Sequence, residues 1–182
     1  GEVTVYKNNS GAWEVYGQFE GVDDGDKYGT SLSLSDDGKT IAVGSIGDGS
    51  GEVKIISRKS HGVWDVIGIF RGGSGDNFGQ SLNLSADGTI LAVGADGGNG
   101  GNQYTKVYKY SSESNAWSQL GSDINGEVAG EKFGYSVSLS ADGTILAVGA
   151  PYSDDNVQDI GNTRIYQYSS GSNSWSQLGS DI

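Results

Sequence analysis

The side chains of this chain best placed for chemistry are acidic and amide oxygens. In "PYSDDNVQDIGN", Pro151 to Asn162, the residues Asp154, Asp155, Asn156 and Asp159 crowd together ahead of Gly161. Oxygens gathered before a glycine suit calcium, a hard cation that takes about six to eight of them. The spacing is not that of an EF-hand, and a solvated polar loop explains the same residues more simply. Calcium is therefore the one cofactor to consider, at Asp154, Asp155, Asn156 and Asp159. The only histidine, His61, lies in the polar stretch "KSHGVW", and there is no cysteine. A Ser-His-Asp triad, thiol chemistry and zinc-thiolate sites are thereby excluded. The glycine-rich "GADGGNGGNQ" lacks the lysine of a phosphate-binding loop. No carboxylate pair stands outside the repeat pattern described below in a recognisable glycosidase arrangement. The expectation is that the chain is not an enzyme.

Lys and Arg total 11 against 23 Asp and Glu, a net charge of −12. Such a surface repels phosphate backbones and anionic headgroups, so neither nucleic acid nor membrane insertion is expected. No apolar run approaches the roughly 20 residues of a membrane-spanning helix. The chain opens at Gly1 without a signal-like segment, which reads as a processed or cut start.

The elements that must position any site are repeats. "LSADGTILAVGA" occurs at Leu84 to Ala95 and again at Leu139 to Ala150, with a looser copy, "LSDDGKTIAVGS", at Leu34 to Ser45. Aligning on it divides the chain into a partial unit, 1–24, and three full units, 25–74, 75–129 and 130–182. The full units open on "GDKYG", "GDNFG" and "GEKFG", then alternate apolar and polar residues in "TSLSLS", "QSLNLS" and "YSVSLS". That alternation predicts a half-buried strand, A. Asp-Gly at Asp37, Asp87 and Asp142 predicts a tight hairpin with positive φ at the glycine. The continuous apolar run that follows is strand B, covered on both faces.

A Gly, Asp and Asn loop of uneven length leads to strand C ("EVKIIS", "TKVYKY", "TRIYQY"), and a polar hairpin leads to strand D, which carries Trp64, Trp117 or Trp175. The first 24 residues match only C and D, with Trp13 in the corresponding place. The prediction is an all-β fold: β-propeller blades of four antiparallel strands, about three and a half of them, a partial propeller. The tryptophans and the Phe78-type aromatics are expected to pack between blades. Asp26, Asp76 and Glu131 recur once per unit, which favours a structural role such as bonding a neighbouring turn's amides.

These residues resemble the FG-GAP repeat, best known from the integrin α-subunit propeller. Phe133-Gly134 and Gly149-Ala150-Pro151 match both ends of the motif; the second unit keeps Phe78-Gly79 and Gly94-Ala95 but has Asp96 in place of proline, and the first has Tyr28-Gly29 and Gly44-Ser45-Ile46. Together with the "W-SQLGSDI" stretches, the chain is most similar to the calcium-poor repeats found in large extracellular proteins of algae and other marine microbes. Integrin-type repeats hold calcium in a long acidic A-to-B loop. Here that loop is only "SADG" or "SDDG", so calcium is not carried over to Asp36, Asp37, Asp87 or Asp142.

The resulting expectation is an extracellular, secreted, non-enzymatic interaction or adhesion module that binds a protein or glycan through its B-to-C loops. Asp48, Asp96, Asn99, Asn102, Tyr104 and Tyr152 are the candidate contact residues. The alternative is a structural repeat that assembles into a filament or wall; a smaller one is the scaffold part of a carbohydrate-active enzyme. Further blades, from the same longer chain or another copy, are expected partners because a ring closes at about four blades or more. The "NNS" triplet at Asn8 is compatible with N-glycosylation, and a second, "NLS" at Asn83, falls inside strand A.

Overall fold

A computed structural model describes residues 1–47, 49–98, 100–153 and 160–182. The described residues contain strands and no helix. The first sheet is a hairpin of β1 (Glu2–Asn9) and β2 (Ala12–Glu20). The second is β3 (Ser31–Leu34), β4 (Thr40–Ser45), β5 (Glu52–Arg58) and β6 (Trp64–Arg71), paired in that order. The third runs β7 (Phe78–Leu84), β8 (Ile90–Asp96), β9 (Gln103–Ser111) and β10 (Ala116–Gln119), with the short β11 (Ile124–Asn125) also on β9. The fourth is β12 (Ser136–Leu139), β13 (Ile145–Ala150), β14 (Asn162–Ser169) and β15 (Ser174–Gln177). All pairs are antiparallel and no sheet closes into a barrel, so the fold is a partial β-propeller of the expected kind.

The Asp-Gly turns form as the sequence requires, with Gly38, Gly88 and Gly143 at φ of 67°, 69° and 72°. Only the glycine takes positive φ; the aspartate before it does not, and contributes its carboxylate instead. Asp87 Oδ1 accepts from Ser85 Oγ at 2.7 Å and from the Thr89 amide at 3.0 Å, and Asp37 and Asp142 repeat the arrangement.

The inner strands do more than present one wet face. Their polar residues bond the next blade: Ser31 Oγ donates to the Gly79 carbonyl and Ser81 Oγ to that of Gly134. Likewise Ser33 Oγ accepts from the Leu84 amide and Asn83 Oδ1 from that of Leu139. This places Asn83 inside an interblade contact. The approach is close enough that a Cβ on Gly94 would lie 2.0 Å from the Gly134 oxygen.

The apolar residues of the inner strands pack back against the preceding blade, so Leu82 is 8% exposed in a cluster with Ala42, Val53 and Ile55. Leu32, its counterpart in the first full blade, is 51% exposed because the hairpin before it offers no inner strands to cover it. Fully buried Phe78 and Phe133 anchor the two complete interfaces, each contributing on the order of 2–3 kcal/mol of apolar burial. Trp64 and Trp175 donate their Nε1–H to the carbonyls of Tyr16 and Leu120 on the preceding sheet, latching blade to blade at 2.9 Å each.

Candidate functional site

The strand order puts the B-to-C loops and the connectors between blades at the same end of the propeller. One hydrogen bond recurs there in each full blade: the amides of Gly47, Gly97 and Tyr152 donate to the carbonyls of Asp26, Asp76 and Glu131. The carboxylates of these three acids fold back onto their own connector. Asp23 N–H donates to Asp26 Oδ2 at 3.0 Å, Gly73 N–H to Asp76 Oδ2 at 2.9 Å, and Val128 N–H to Glu131 Oε1 at 3.3 Å. The structural role read from the sequence is thus present in all three blades. What differs is the group that strand C sends towards the acid.

Alternate residues of strand C share the face beneath the connector. The strand pairing makes Glu52, Tyr104 and Asn162 equivalent, and likewise Lys54, Lys106 and Arg164. In the second full blade the Tyr104 hydroxyl donates to Asp76 Oδ2 at 2.9 Å and the Asn102 amide to Oδ1 at 2.8 Å, while Lys106 pairs with Asp123 across the sheet. Burial, reinforced by the bond to Asp76, raises the Tyr104 phenol above its ordinary value. In the third, Arg164 points at Glu131: Nη2 lies 3.1 Å from Oε2, Nη1 3.3 Å from Oε1, and Nε donates to Asp181 Oδ2 at 2.9 Å. The side chains of Arg164 and Glu131 are 2% and 0% exposed. Burial alone would lower the guanidinium, but its bonds to Asp181 and Glu131 hold it above its usual value.

The first full blade leaves this place open. A cavity of about 370 Å³ lies there, lined by Asp23, Asp26, Glu52, Lys54 and Arg71, with Val22 and Ile69 supplying apolar wall. Lys54 Nζ is 3.3 Å from Glu52 Oε1, and Arg71 pairs with Glu52 Oε2. Neighbouring Tyr28, buried and close to Glu52, is pushed up to about 12. The cleft offers carboxylates and two cations within reach of solvent, a lining chemically suited to polar or charged groups. Among the described residues no group of three or more His, Cys, Asp or Glu is placed to hold a metal.

The residues singled out from sequence are dispersed. Asp154, Asp155, Asn156 and Asp159, the calcium candidates, lie outside the described residues, as do Asp48 and Asn99. Asp96 and Tyr104 were expected on contact loops, but both are buried at the ends of β8 and β9. Asp96 receives Asn77 Nδ2, the Gly98 amide and Lys132 Nζ of the next blade, which makes it an interblade clamp. It stands where the repeat motif has proline, and its burial follows from those three donors. Asn102 and Tyr152 are exposed at the loop end. Asn8 is exposed in β1 and accepts from the Gly11 amide in the hairpin. Glu52, Lys54, Arg71 and Arg164 escaped sequence reading. The signal was there as a basic residue recurring at the same register of each full strand C.

Residues 125–166 match the family described as FG-GAP repeat. No curated protein matches the chain. Among solved structures, the chain resembles the periplasmic gluconolactonase of Pseudomonas aeruginosa at 19% identity and a TM-score of 0.63, covering 98% of this chain and 48% of that one. A protein from Lactobacillus plantarum matches at 17% identity and a TM-score of 0.64, covering 100% and 49%. Sqt1 of Saccharomyces cerevisiae matches at 14% and 0.59, covering 87% and 36%. The chain spans about half or less of the length of these proteins, and at such identities the likeness concerns the fold alone.

It nevertheless corrects the expectation that the chain is not an enzyme, because the same fold serves in a gluconolactonase. The physical reason is that a propeller can assemble a site from side chains on separate blades, so the lack of a local triad or nucleophile motif did not exclude catalysis. Residues 125–166 match the FG-GAP repeat, and the described chain as a whole has the fold of a partial β-propeller.

Proposed function

We propose that this propeller segment is an extracellular interaction module that takes a protein or glycan on the face formed by its B-to-C loops and interblade connectors. The observation that carries the reading is the open, charged cleft of the first full blade, at a position that the other two fill with their own side chains. Exposed Asn102 and Tyr152 extend the same face across the neighbouring blades. In this reading any calcium belongs at Asp154, Asp155, Asn156 and Asp159. Protein and glycan arrays probed with and without calcium test it. Capture of a ligand that weakens on Tyr152→Ala or Asn102→Ala is expected, and a ligand indifferent to every substitution on this face would sink the reading. Loss of capture on chelation or on Asp154→Ala would assign the ion.

A second reading, assembly into a filament or wall with further blades in cis or from another copy, draws on the first sheet. There Trp13 is 69% exposed, whereas its counterparts Trp64 and Trp175 are latched to a preceding sheet. Light scattering across a concentration series tests it: growth of mass that stops on Trp13→Ser supports assembly, and a constant monomer mass rejects assembly of this chain with itself.

A further inference from the structure

We infer that the cleft of the first full blade is a site for one guanidinium group, carried on an arginine side chain of a partner protein, with Asp26 as its main carboxylate. This deepens the reading above and rests on it. The argument comes from the other blades, each of which places a hydrogen-bond donor from strand C against the acid that opens the blade. The third uses the guanidinium of Arg164 on Glu131, the second the phenol of Tyr104 on Asp76. In the first, strand C brings Glu52 at the register of Tyr104, and Lys54, at the register of Arg164, is drawn to Glu52 instead. Strand D carries Ile69 where the other blades have Asp123 and Asp181, so no second acid draws Lys54 away.

Lys54 and Arg71 both spend their charge on Glu52, and Asp23 and Asp26 have no ion pair among the described residues. Among the described residues, the lining of the cleft therefore holds one more carboxylate than cations. Val22 and Ile69 give the methylenes of an arginine an apolar wall, while the acids face its head. A planar guanidinium fork fits a carboxylate in two parallel bonds, the geometry Arg164 already makes with Glu131; an ammonium cannot reproduce it. Anions are disfavoured by the excess carboxylate and by the net charge of −12.

The test is a titration of the whole chain, followed by nitrogen-15 NMR, with N-acetyl-arginine-methylamide and with the citrulline analogue, which has the same shape without the charge. Saturable shifts of the Asp23, Gly47 and Lys54 amides are expected with arginine and not with citrulline. Asp26→Asn keeps an oxygen for the Asp23 amide, so it should fold, and it should weaken arginine by about fivefold or more. If that variant's spectrum changes as a whole, Asp23→Asn at an exposed position serves instead, with about twofold weakening expected. Equal binding of citrulline, equal binding of the lysine analogue, or unchanged affinity in a folded Asp26→Asn would each overturn the inference. So would methyl glucoside shifting these amides where arginine does not. A captured macromolecule that depends on Tyr152 but not on Asp26 would remove this inference and leave the proposed function; arginine bound in the cleft of a chain that captures no macromolecule would do the reverse.

Discussion

The first and third full blades put different groups at one equivalent place. In the third, Glu131, Arg164 and Asp181 form a buried, mutually satisfied network. In the first, Asp26, Glu52 and Lys54 line a cleft open to solvent. The backbone is shared, since the connector amides and the B-to-C loop bonds recur in both. The difference is therefore carried by a few side chains: strand C supplies arginine in one case and a lysine tied to glutamate in the other. A repeat scaffold can thus close a position for stability in one copy and leave it available in another.

The comparison breaks most visibly if the buried network is cut. Arg164→Met strands Glu131 without its cation in a fully buried setting, and a loss of about 3–5 kcal/mol is expected in denaturant unfolding. A loss below about 1 kcal/mol would mean that the network is solvated in solution. Next, Tyr104→Phe removes the donor to Asp76 in the second full blade and should cost about 1–3 kcal/mol. The tryptophans offer a matched pair: Trp175→Phe loses a bond to Leu120 O and should cost about 1 kcal/mol more than Trp117→Phe, because Trp117 Nε1 has no acceptor among the described residues. Equal costs would show that the latch bond contributes nothing. The smallest effect belongs to the open blade, where Asp26→Asn keeps its amide bond and should change stability by less than about 0.5 kcal/mol.

Acid separates the blades less than it tests their turns. For Asp37 and Asp87 burial pushes the carboxyl up, but the hydrogen bonds from Ser35, Lys39, Ser85 and Thr89 outweigh it, and both lie below the usual carboxylate range. Asp142 is lowered by its bonds from Ser140 and Thr144; for Asp181 burial is outweighed by the bonds from Arg164 and Gln177. Groups whose folded values are depressed stabilise the fold above their unfolded value of about 4, and that contribution is lost as pH falls through the lower folded values. Melting temperature should therefore be flat down to about pH 4 and fall below it, with the fall shallower in Asp87→Asn. A profile identical in that variant would remove the turn aspartates from the account.

The strands, their order and the partial propeller were legible because period-two alternation, Asp-Gly turns and a repeated phrase are local properties of the chain. So was the bonding role of Asp26, Asp76 and Glu131, which their recurrence announced. The cleft was not legible, since it depends on which of Glu52, Lys54, Ile69 and Arg71 meet across two strands and under a connector some 30 residues away in sequence. The burial of Asp96 was missed for the same reason: its partners Asn77 and Lys132 come from two different connectors.

By itself, then, the sequence determined the blade, because hydrophobic periodicity and turn chemistry act over a few residues and fix strand, hairpin and facing. Only the tertiary structure decided which equivalent positions are filled and which stay open. That outcome turns on charge pairing between side chains distant in sequence, where a Coulomb interaction over a few ångströms picks one partner among several.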